Sequence, residues 1–372
     1  MYLSNFKVVR PHFETDQEVL FEWILKAHAA ARQKIENWPE QELNRFKDEL
    51  RANLLSISLG KERIARRGFQ IPDCTHDNWD QMQIFNINAK PEGHHLDVRM
   101  AFFNESSFEM MQKMYENQKL PPHLVHVTCT GCISPGPARR LVSQKQQGTT
   151  TTVTNAHQMG CYGAIPAIRM AMGHYAIEKD ITDIVHTELC TLHFNPTLHT
   201  KEQLMVQSLF ADGFIKYSLG AETPNAFKVL SVVEHVINDT TTKMTWDCSY
   251  WGFQMSISKD IPALIRRHLK AFLTQLAKKA GRDEEELYKA HFSIHPGGPK
   301  IIDQIQEALG LSDEQVAHSR AVLLNYGNMS SATMPHVWER LLQDPKVNKE
   351  ALVVSMAFGP GLSFAGALFE RN

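Results

Sequence analysis

Three residues of this sequence, a cysteine, a histidine and an asparagine, have the chemistry for nucleophilic attack on a carbonyl group. Cys161 follows Gly160 and precedes an apolar segment that predicts a helix beginning near Ile165, with Pro166 in its first turn. A helix N-terminus favours a thiolate, and small flanking residues leave the sulfur open to a substrate. The pattern therefore predicts an exposed nucleophile.

His295 and Asn328 offer the groups that such a nucleophile needs. His295 ends a predicted strand before Pro-Gly-Gly, and Asn328 lies in Tyr-Gly-Asn-Met-Ser-Ser-Ala at 326–332. A histidine can pair with the thiolate as a cation, and an amide can donate to a developing oxyanion. Each residue also has a structural interpretation, as a buried thiol, a turn cap and a left-handed backbone position. With 18 histidines in the chain, residue types alone leave both interpretations open.

Length and composition limit the class of protein. The 372 residues, 43% of them hydrophobic, can bury a large core and predict two domains or one duplicated fold. A net charge of −2 without a basic run argues against nucleic-acid binding. No apolar stretch approaches a membrane span, and the N-terminus lacks a signal-peptide layout, so we expect a cytoplasmic protein. The six cysteines are scattered, unlike a disulfide framework.

Strand-like and helix-like segments alternate along the chain, which predicts an α/β protein. The predicted helices are Glu18–Trp38, Glu40–Leu59, Ile261–Ala280, a helix ending near Leu309 and one capped by Ser312 with Gln315. The predicted strands are Leu124–Cys129, Asp183–Phe194, Phe214–Ser218, Val229–Ile237, Lys289–Ile294, Leu352–Phe358 and Leu362–Phe369, with a strand region at Lys243–Ser258. The segment Gly220–Asn225 is the predicted junction between two halves, 1–222 and 223–372.

Five motifs resemble those of the chalcone synthase family, the type III polyketide synthases, and occur in the same order. They are Met-Gly-Cys-Tyr-Gly-Ala at 159–164, Leu-Phe-Ala-Asp-Gly at 209–213, His-Pro-Gly-Gly-Pro-Lys at 295–300, Tyr-Gly-Asn-Met-Ser-Ser-Ala at 326–332 and Ala-Phe-Gly-Pro-Gly-Leu at 357–362. Each motif alone is moderately specific, and five in register favour the catalytic interpretation of Cys161, His295 and Asn328.

The resemblance implies a thiolase fold, in which two βαβαβαββ halves stack into a five-layer αβαβα sandwich, usually as a homodimer. It assigns to Cys161 the acyl-thioester nucleophile, and to His295 and Asn328 the binding of a thioester carbonyl and stabilisation of the enolate. His295 would also pair with the thiolate. The implied reaction is a Claisen condensation of acyl or β-ketoacyl thioesters. Coenzyme A or phosphopantetheine thioesters are then substrates, and no cofactor is bound permanently.

Departures from the plant motifs predict a remodelled substrate pocket. Phe210 matches the family's gatekeeper aromatic, whereas Met255 replaces a second phenylalanine and would loosen the aperture. The other expected pocket residues are Trp246, which replaces a glycine, together with Cys132, Cys190, Leu192, His193 and Ser330. A chalcone-type product is therefore not expected.

Coenzyme A binding is predicted to be weaker than in the family, and acyl-coenzyme A and an acyl carrier protein both stay open as the donor. Of the family's coenzyme A cations only Lys61 matches, while Leu54 and Ile57 are apolar, so an acyl carrier protein is an expected donor. Its acidic surface would meet Arg63, Arg66 and Arg67, although such a charge run is more often a solvated face.

The segment 129–136 resembles bacterial members, including stand-alone ketosynthases that join two carrier-bound β-ketoacyl chains into an α-pyrone. Its Cys129 and Cys132 form a CxxC without a second cysteine pair, so no metal site is predicted. Two alternatives stay open beside the type III enzyme. They are a β-ketoacyl synthase III-like enzyme that makes a single condensation, and a catalytically silent partner of an acyl carrier protein.

Overall fold

The structure is a computed structural model that describes residues 1–57 and 60–372. Its strands are β1 (Tyr2–Val9), β2 (Phe13–Asp16), β3 (Arg66–Phe69), β4 (His123–Thr128), β5 (Thr152–His157), β6 (Thr182–Leu189), β7 (Asp212–Gly220), β8 (Phe227–Val236), β9 (Met244–Cys248), β10 (Phe253–Ile257), β11 (His291–Ile294), β12 (Leu352–Gly359) and β13 (Ser363–Arg371). Its α-helices are α1 (Gln17–Glu36), α2 (Glu40–Ile57), α3 (Leu96–Met114), α4 (Pro137–Gln144), α5 (Ala164–Glu178), α6 (Lys201–Leu209), α7 (Ile261–Ala280), α8 (Glu284–Leu287), α9 (Pro299–Leu309), α10 (Asp313–Tyr326) and α11 (Thr333–Gln343). None of these helices combines the length and the apolar character needed to cross a membrane.

Nine strands form one sheet in the order β11-β12-β13-β8-β1-β7-β6-β4-β5. On one side, β4 lies parallel to β6, and β7 lies antiparallel to β6 and β1. On the other side the pattern repeats, because β11 lies parallel to β12, and β13 lies antiparallel to β12 and β8. Tyr2 and Leu3 of β1 join the two sets by pairing with β8. The repeated order indicates a duplicated α/β fold, and the predicted boundary at 222/223 falls between β7 and β8 but stays a prediction.

Two helices separate the two sets of strands. Helix α5 contacts β4, β6 and β7 on one side and β13 on the other, and α11 contacts β1, β7 and β11. The outer face of the first set carries α3, and the outer face of the second carries α7 and α10. The result is five alternating layers of helices and strands, with α5 and α11 in the middle.

Small side chains allow α5 to occupy this central position. Its first turns bury Ala164, Ile165, Ala167 and Ile168 completely between the strands. Because helix and strands can approach closely only where side chains are small and interdigitate, this composition fixes the depth of the helix. Cys161 lies in the turn of residues 161–163 that leads into this helix and is therefore positioned by the core packing of both halves.

Several predicted elements are confirmed. Helix α7 has the predicted bounds, with Pro262 in its first turn and Gly281 in the left-handed conformation just after its end. The capping box of α10 is also present, since Ser312 and Gln315 exchange side-chain-to-backbone hydrogen bonds. Local signals of this kind depend on residues one turn apart, which a single sequence displays directly.

The predicted strand Asp183–Phe194 is too long. Strand β6 ends at Leu189, and a 3-10 turn follows over Cys190–His193. The turn is held by Asp212, whose carboxylate accepts hydrogen bonds from the backbone N–H of Thr191 at 2.9 Å and from its hydroxyl at 2.8 Å. A partner this distant in sequence gives no signal in the strand itself.

The structure differs from the prediction, or adds to it, at three further places. The region Lys243–Ser258 is a hairpin of β9 and β10 rather than one strand. Helix α2 is described as far as Ile57, and its predicted end at Leu59 lies outside the described residues. Strands β1 and β5 and helix α3 were not predicted, although β1 joins the two halves of the sheet.

Candidate active site

A turn over residues 161–163 leads into α5 and carries Cys161. Gly160 precedes it with a φ of +77°, and the backbone N–H of Gly163 donates to the Gly160 carbonyl at 3.0 Å. A Cβ placed on Gly160 would lie 2.3 Å from Cδ of Pro360. The Gly-Pro-Gly loop of the second half thus packs directly on the turn that carries the thiol.

Replacing Gly160 by alanine is expected to destabilise the protein and to displace the thiol. The left-handed backbone and the close Pro360 contact together should cost about 1–3 kcal/mol of unfolding free energy. Urea unfolding and the rate of Cys161 alkylation by iodoacetamide measure the two effects. Gly173→Ala is the matched control, because it lies in α5 and a Cβ there meets nothing within 4 Å. Wild-type stability and reactivity of the Gly160 variant would contradict the proposed packing role.

The thiol of Cys161 is buried, with 6% of the residue exposed, so the prediction of an exposed nucleophile is wrong. Burial raises the pKa of the thiol to about 12, and hydrogen bonds with the side chains of Ser330 and Asn328 oppose that rise, while the charge of Glu188 adds to it. The buried thiol is therefore neutral at pH 7. A thiolate there needs a nearby cation or an arriving substrate.

A short parallel bridge between Phe210 and Asn328 positions the asparagine. The backbone N–H of Asn328 donates to the carbonyl of Leu209 at 3.0 Å, and Ala211 donates to the Asn328 carbonyl at 2.8 Å. The side-chain Oδ1 of Asn328 accepts from the backbone N–H of Ser330 at 2.9 Å. Because Oδ1 is occupied in this way, the amide N–H groups are left to donate toward the thiol.

His295 follows the end of β11 and is buried, with 2% exposed. Its backbone N–H donates to the carbonyl of Met356 at 2.8 Å, while both ring nitrogens are buried without a partner among the described residues. Burial lowers the pKa of the imidazole to about 3, so the ring is neutral at pH 7. Strand β12, which carries Met356, runs on into the Gly-Pro-Gly loop against Cys161, so one strand positions both segments.

Glu188, at the end of β6, is a buried carboxylate that the motifs do not single out. It accepts hydrogen bonds from the backbone N–H of Cys129 at 3.0 Å, from the hydroxyl of Thr130 at 2.7 Å and from the hydroxyl of Ser331. Burial raises the pKa of Glu188, and these hydrogen bonds oppose that effect. A charged residue within a strand that is otherwise predicted to be buried was the available signal.

Two side chains connect this carboxylate to the nucleophile. Sγ of Cys129 lies 3.2 Å from Oε1 of Glu188 and 3.2 Å from Oγ of Ser330. Oγ of Ser330 in turn lies 3.9 Å from Sγ of Cys161. Ser330 also has a φ of +49°, a left-handed conformation that is uncommon outside glycine. A continuous polar network therefore runs from β6 to the thiol.

A cavity of about 50 Å³ lies beside this network. Five of the predicted pocket residues form part of its wall: Phe210, Met255, Cys190, His193 and Trp246. The indole N–H of Trp246 donates to the Cys129 carbonyl at 2.7 Å, which joins the cavity wall to the polar network. Leu192 and Ser330 are buried but do not form part of this wall, and Cys132 is exposed. The two thiols of the CxxC therefore lie in different environments.

The predicted carrier-binding cations do not form one surface set. Lys61, Arg63 and Arg66 are exposed, and each lies 3.1 to 3.5 Å from a neighbouring carboxylate. Arg67 is 2% exposed, so its prediction as a surface contact is wrong. Alternation along β3 turns its side chain inward, where the guanidinium Nε donates to the Gln17 side chain at 2.6 Å.

The chain is similar in sequence and in structure to known proteins. Residues 228–371 match the family model described as chalcone and stilbene synthases, C-terminal domain. The chain is 29% identical over 253 residues to a putative chalcone synthase of Bacillus subtilis, covering 66% of this chain and 69% of that protein. It is 30% identical over 258 residues to probable polyketide synthase 1 of Dictyostelium discoideum, covering 67% of this chain but only 8% of that protein. The crystal structure of 1,3,6,8-tetrahydroxynaphthalene synthase from Streptomyces coelicolor A3(2) has a TM-score of 0.82 at 21% identity, covering 100% of this chain and 99% of that one.

The layered, duplicated architecture and its structural neighbours define a thiolase-fold protein, as the sequence predicted. Within that class, residues 228–371 match the C-terminal domain of chalcone and stilbene synthases, and the chain is a homologue of type III polyketide synthases over 66% of its length. The match to the family model begins at β8, the first strand of the second half of the sheet.

Proposed function

We propose that the chain is an acyltransferase that extends acyl thioesters by Claisen condensation, with Cys161 holding the acyl group. One observation carries this proposal. The buried thiol of Cys161 lies beside the donors Ser330 and Asn328. The strand that pairs with the backbone of His295 runs on into the loop that packs on the turn of Cys161, and both ring nitrogens of His295 are buried without a partner among the described residues. Unpartnered buried nitrogens cost folding free energy, and a substrate that uses them explains why they persist. Homology to type III polyketide synthases supports the same chemistry.

The first step is acyl transfer to the enzyme. Sγ of Cys161 attacks the carbonyl carbon of the starter thioester, and the bond to the carrier sulfur breaks. His295 accepts the proton of the thiol and returns it to the departing carrier thiolate. Because burial lowers the pKa of this imidazole and raises that of the thiol, each charge forms favourably only beside the other.

The second step forms the carbon–carbon bond. The extender thioester becomes an enolate when its Cα–carboxylate bond breaks and releases CO2 or, for a β-ketoacyl extender, when its acidic α-proton passes to the unprotonated ring nitrogen of His295. The enolate oxygen receives hydrogen bonds from the Asn328 amide and from the N–H of His295, which stabilise it. The enolate carbon then attacks the acyl carbonyl, and the thiolate of Cys161 leaves. The site is buried, so these hydrogen bonds act without competition from bulk water.

The finer parts of the proposal concern product and assembly. The proposed product is an α-pyrone or related polyketide, made by joining carrier-bound chains in a cytoplasmic homodimer. Strand β5 ends the nine-stranded sheet, and its free edge offers backbone groups for pairing with the same strand of a second copy.

The small cavity favours a second candidate function. The cavity has a volume of about 50 Å³. It can hold a growing polyketide only if side chains in its wall move. An enzyme that makes one condensation, like β-ketoacyl synthase III, needs less space. Flexible Met255 in the wall and its neighbour Phe210 are the side chains whose movement would enlarge it.

Product analysis decides between these functions. Purified protein is incubated with β-ketoacyl groups on coenzyme A or on an acyl carrier protein, and the products are measured by mass spectrometry. A pyrone released from both of the carriers that delivered its two chains supports the proposal. A β-ketoacyl product that is still bound to a carrier and has been extended once supports an enzyme that makes one condensation. We expect faster turnover from the carrier protein, and equal or faster turnover from coenzyme A would contradict that part. Complex formation with a carrier protein without any product would indicate a silent partner.

A further inference from the structure

Arg67 is a buried arginine that the reaction above does not use. Its Nη1 donates to the backbone carbonyls of Gln207 and Phe210 at 2.7 and 2.8 Å, in addition to the Gln17 contact of Nε. These acceptors are neutral, and Nη2 is buried without a partner among the described residues. The guanidinium is therefore both short of a hydrogen bond and without a carboxylate partner.

The carboxylate of Asp212 does not form an ion pair with this guanidinium among the described residues. Asp212 lies close enough to favour the charged guanidinium, but its carboxylate is already bonded to the backbone N–H of Gln70 at 2.8 Å and to Thr191. Burial lowers the pKa of Arg67 to about 9, so the side chain still carries its charge at pH 7. A buried cation without an ion pair is costly unless something else supplies the anion.

The same arginine forms part of the cavity wall. The remaining wall is mostly apolar, with Val206, Phe253 and Met255 among its members. The free volume of about 50 Å³ matches a small polar group rather than a whole acyl chain. Trp246, also in the wall, donates to the carbonyl of Cys129. The thiol of Cys129 lies 3.2 Å from Oγ of Ser330, and Ser330 in turn contacts the thiol of Cys161. The cavity is thus suited to the far end of a short chain attached at Cys161.

We propose that Arg67 binds a terminal carboxylate of the acyl group, so that the cavity selects dicarboxylic acyl thioesters over methyl-ended ones. The inference rests on the proposed function, because it takes Cys161 as the point of attachment. Nη2 supplies the free donor and the guanidinium supplies the charge. The charge favours a carboxylate over a neutral carbonyl, because only an anion compensates a buried cation.

The test places a carboxylate in the wall without touching Arg67. Val206→Glu supplies an internal anion, and Val206→Gln is the matched neutral control of nearly equal size. Loading of Cys161 is followed by intact-protein mass with butyryl-, succinyl-, hexanoyl- and adipoyl-coenzyme A. We expect wild type and Val206→Gln to load the dicarboxylic members at least about ten-fold faster, the factor expected for one hydrogen bond to a charged group. Val206→Glu should lose that preference, and so should Arg67→Met.

Other outcomes are equally informative. Equal or faster loading of methyl-ended chains by wild type, or an unchanged preference in Val206→Glu, overturns the proposal. Arg67→Met also removes the hydrogen bonds to the carbonyls of Gln207 and Phe210, which help to hold the fold. The comparison of Val206→Glu with Val206→Gln is therefore the deciding measurement. If no thioester loads, the proposed function fails, and calorimetry with hexanoate and hexanamide still tests the cavity. The anion site is supported if wild type binds hexanoate but not hexanamide and Val206→Glu binds neither. It is refuted if wild type does not bind hexanoate.

Discussion

Cys161→Ala is expected to abolish the acyl-enzyme, so that the intact protein shows no mass increase after incubation with an acyl thioester. Alanine retains the Cβ but has no nucleophile, and turnover should fall to background. Loss of one buried sulfur should cost only about 1 kcal/mol of stability. A folded, inactive protein is therefore the predicted state, and thermal unfolding verifies that it is folded.

Cys132→Ala is the matched control for this experiment, because Cys132 is exposed and does not contribute to the cavity wall. It should load at the wild-type rate. Normal labelling of Cys161→Ala, mapped by peptide analysis to Cys129 or Cys190, would move the nucleophile to one of these neighbouring buried thiols. Their pKa values are also raised by burial, so neither has an evident advantage as a thiolate.

The sequence predicts the fold well because the relevant signals are local or belong to motifs. Short stretches of sequence display the apolar composition of α5, the capping box of α10, and the proline at the start and glycine at the end of α7. The five family motifs then predict the duplicated architecture. The β1–β8 pairing escapes prediction because it joins Tyr2 to Lys228, across most of the chain.

The candidate site is predicted less completely, since burial depends on tertiary context. Arg66 and Arg67 are adjacent and chemically alike, yet β3 exposes the first and buries the second. Only the pairing of β3 with β2 fixes which face points inward. Cys161 was expected at a surface for the same reason, because its glycine neighbours suggested access. They instead allow close packing against Pro360.

Glu188 shows a further limit. Its donors come from Cys129, Thr130 and Ser331, three residues from two distant segments. No spacing in the sequence connects them. The hydrogen-bond network of Glu188 extends through Cys129 to Ser330. Ser330 was predicted to line the pocket, but it lies in this polar network near Cys161 and not in the cavity wall.

His295→Ala and Asn328→Ala are each expected to reduce condensation by about 10²-fold or more, the usual effect of losing one oxyanion donor. The two variants should differ in the acylation step. Removing His295 removes the proposed proton acceptor, and burial already raises the pKa of Cys161 to about 12. Thiolate formation should therefore require still higher pH. We expect the pH profile of Cys161 alkylation by iodoacetamide to move upward.

His291→Ala is the control for this prediction, because His291 lies at the opposite end of β11 and is only partly buried. It should leave the alkylation profile and the condensation rate near wild type. Asn328→Ala should shift the profile less than His295→Ala, since an amide stabilises the thiolate by a hydrogen bond and not by a full charge. A normal condensation rate in either variant would remove that residue from the enolate step. An unshifted profile in His295→Ala would separate the histidine from thiol activation while leaving its enolate role to be decided by the condensation rate.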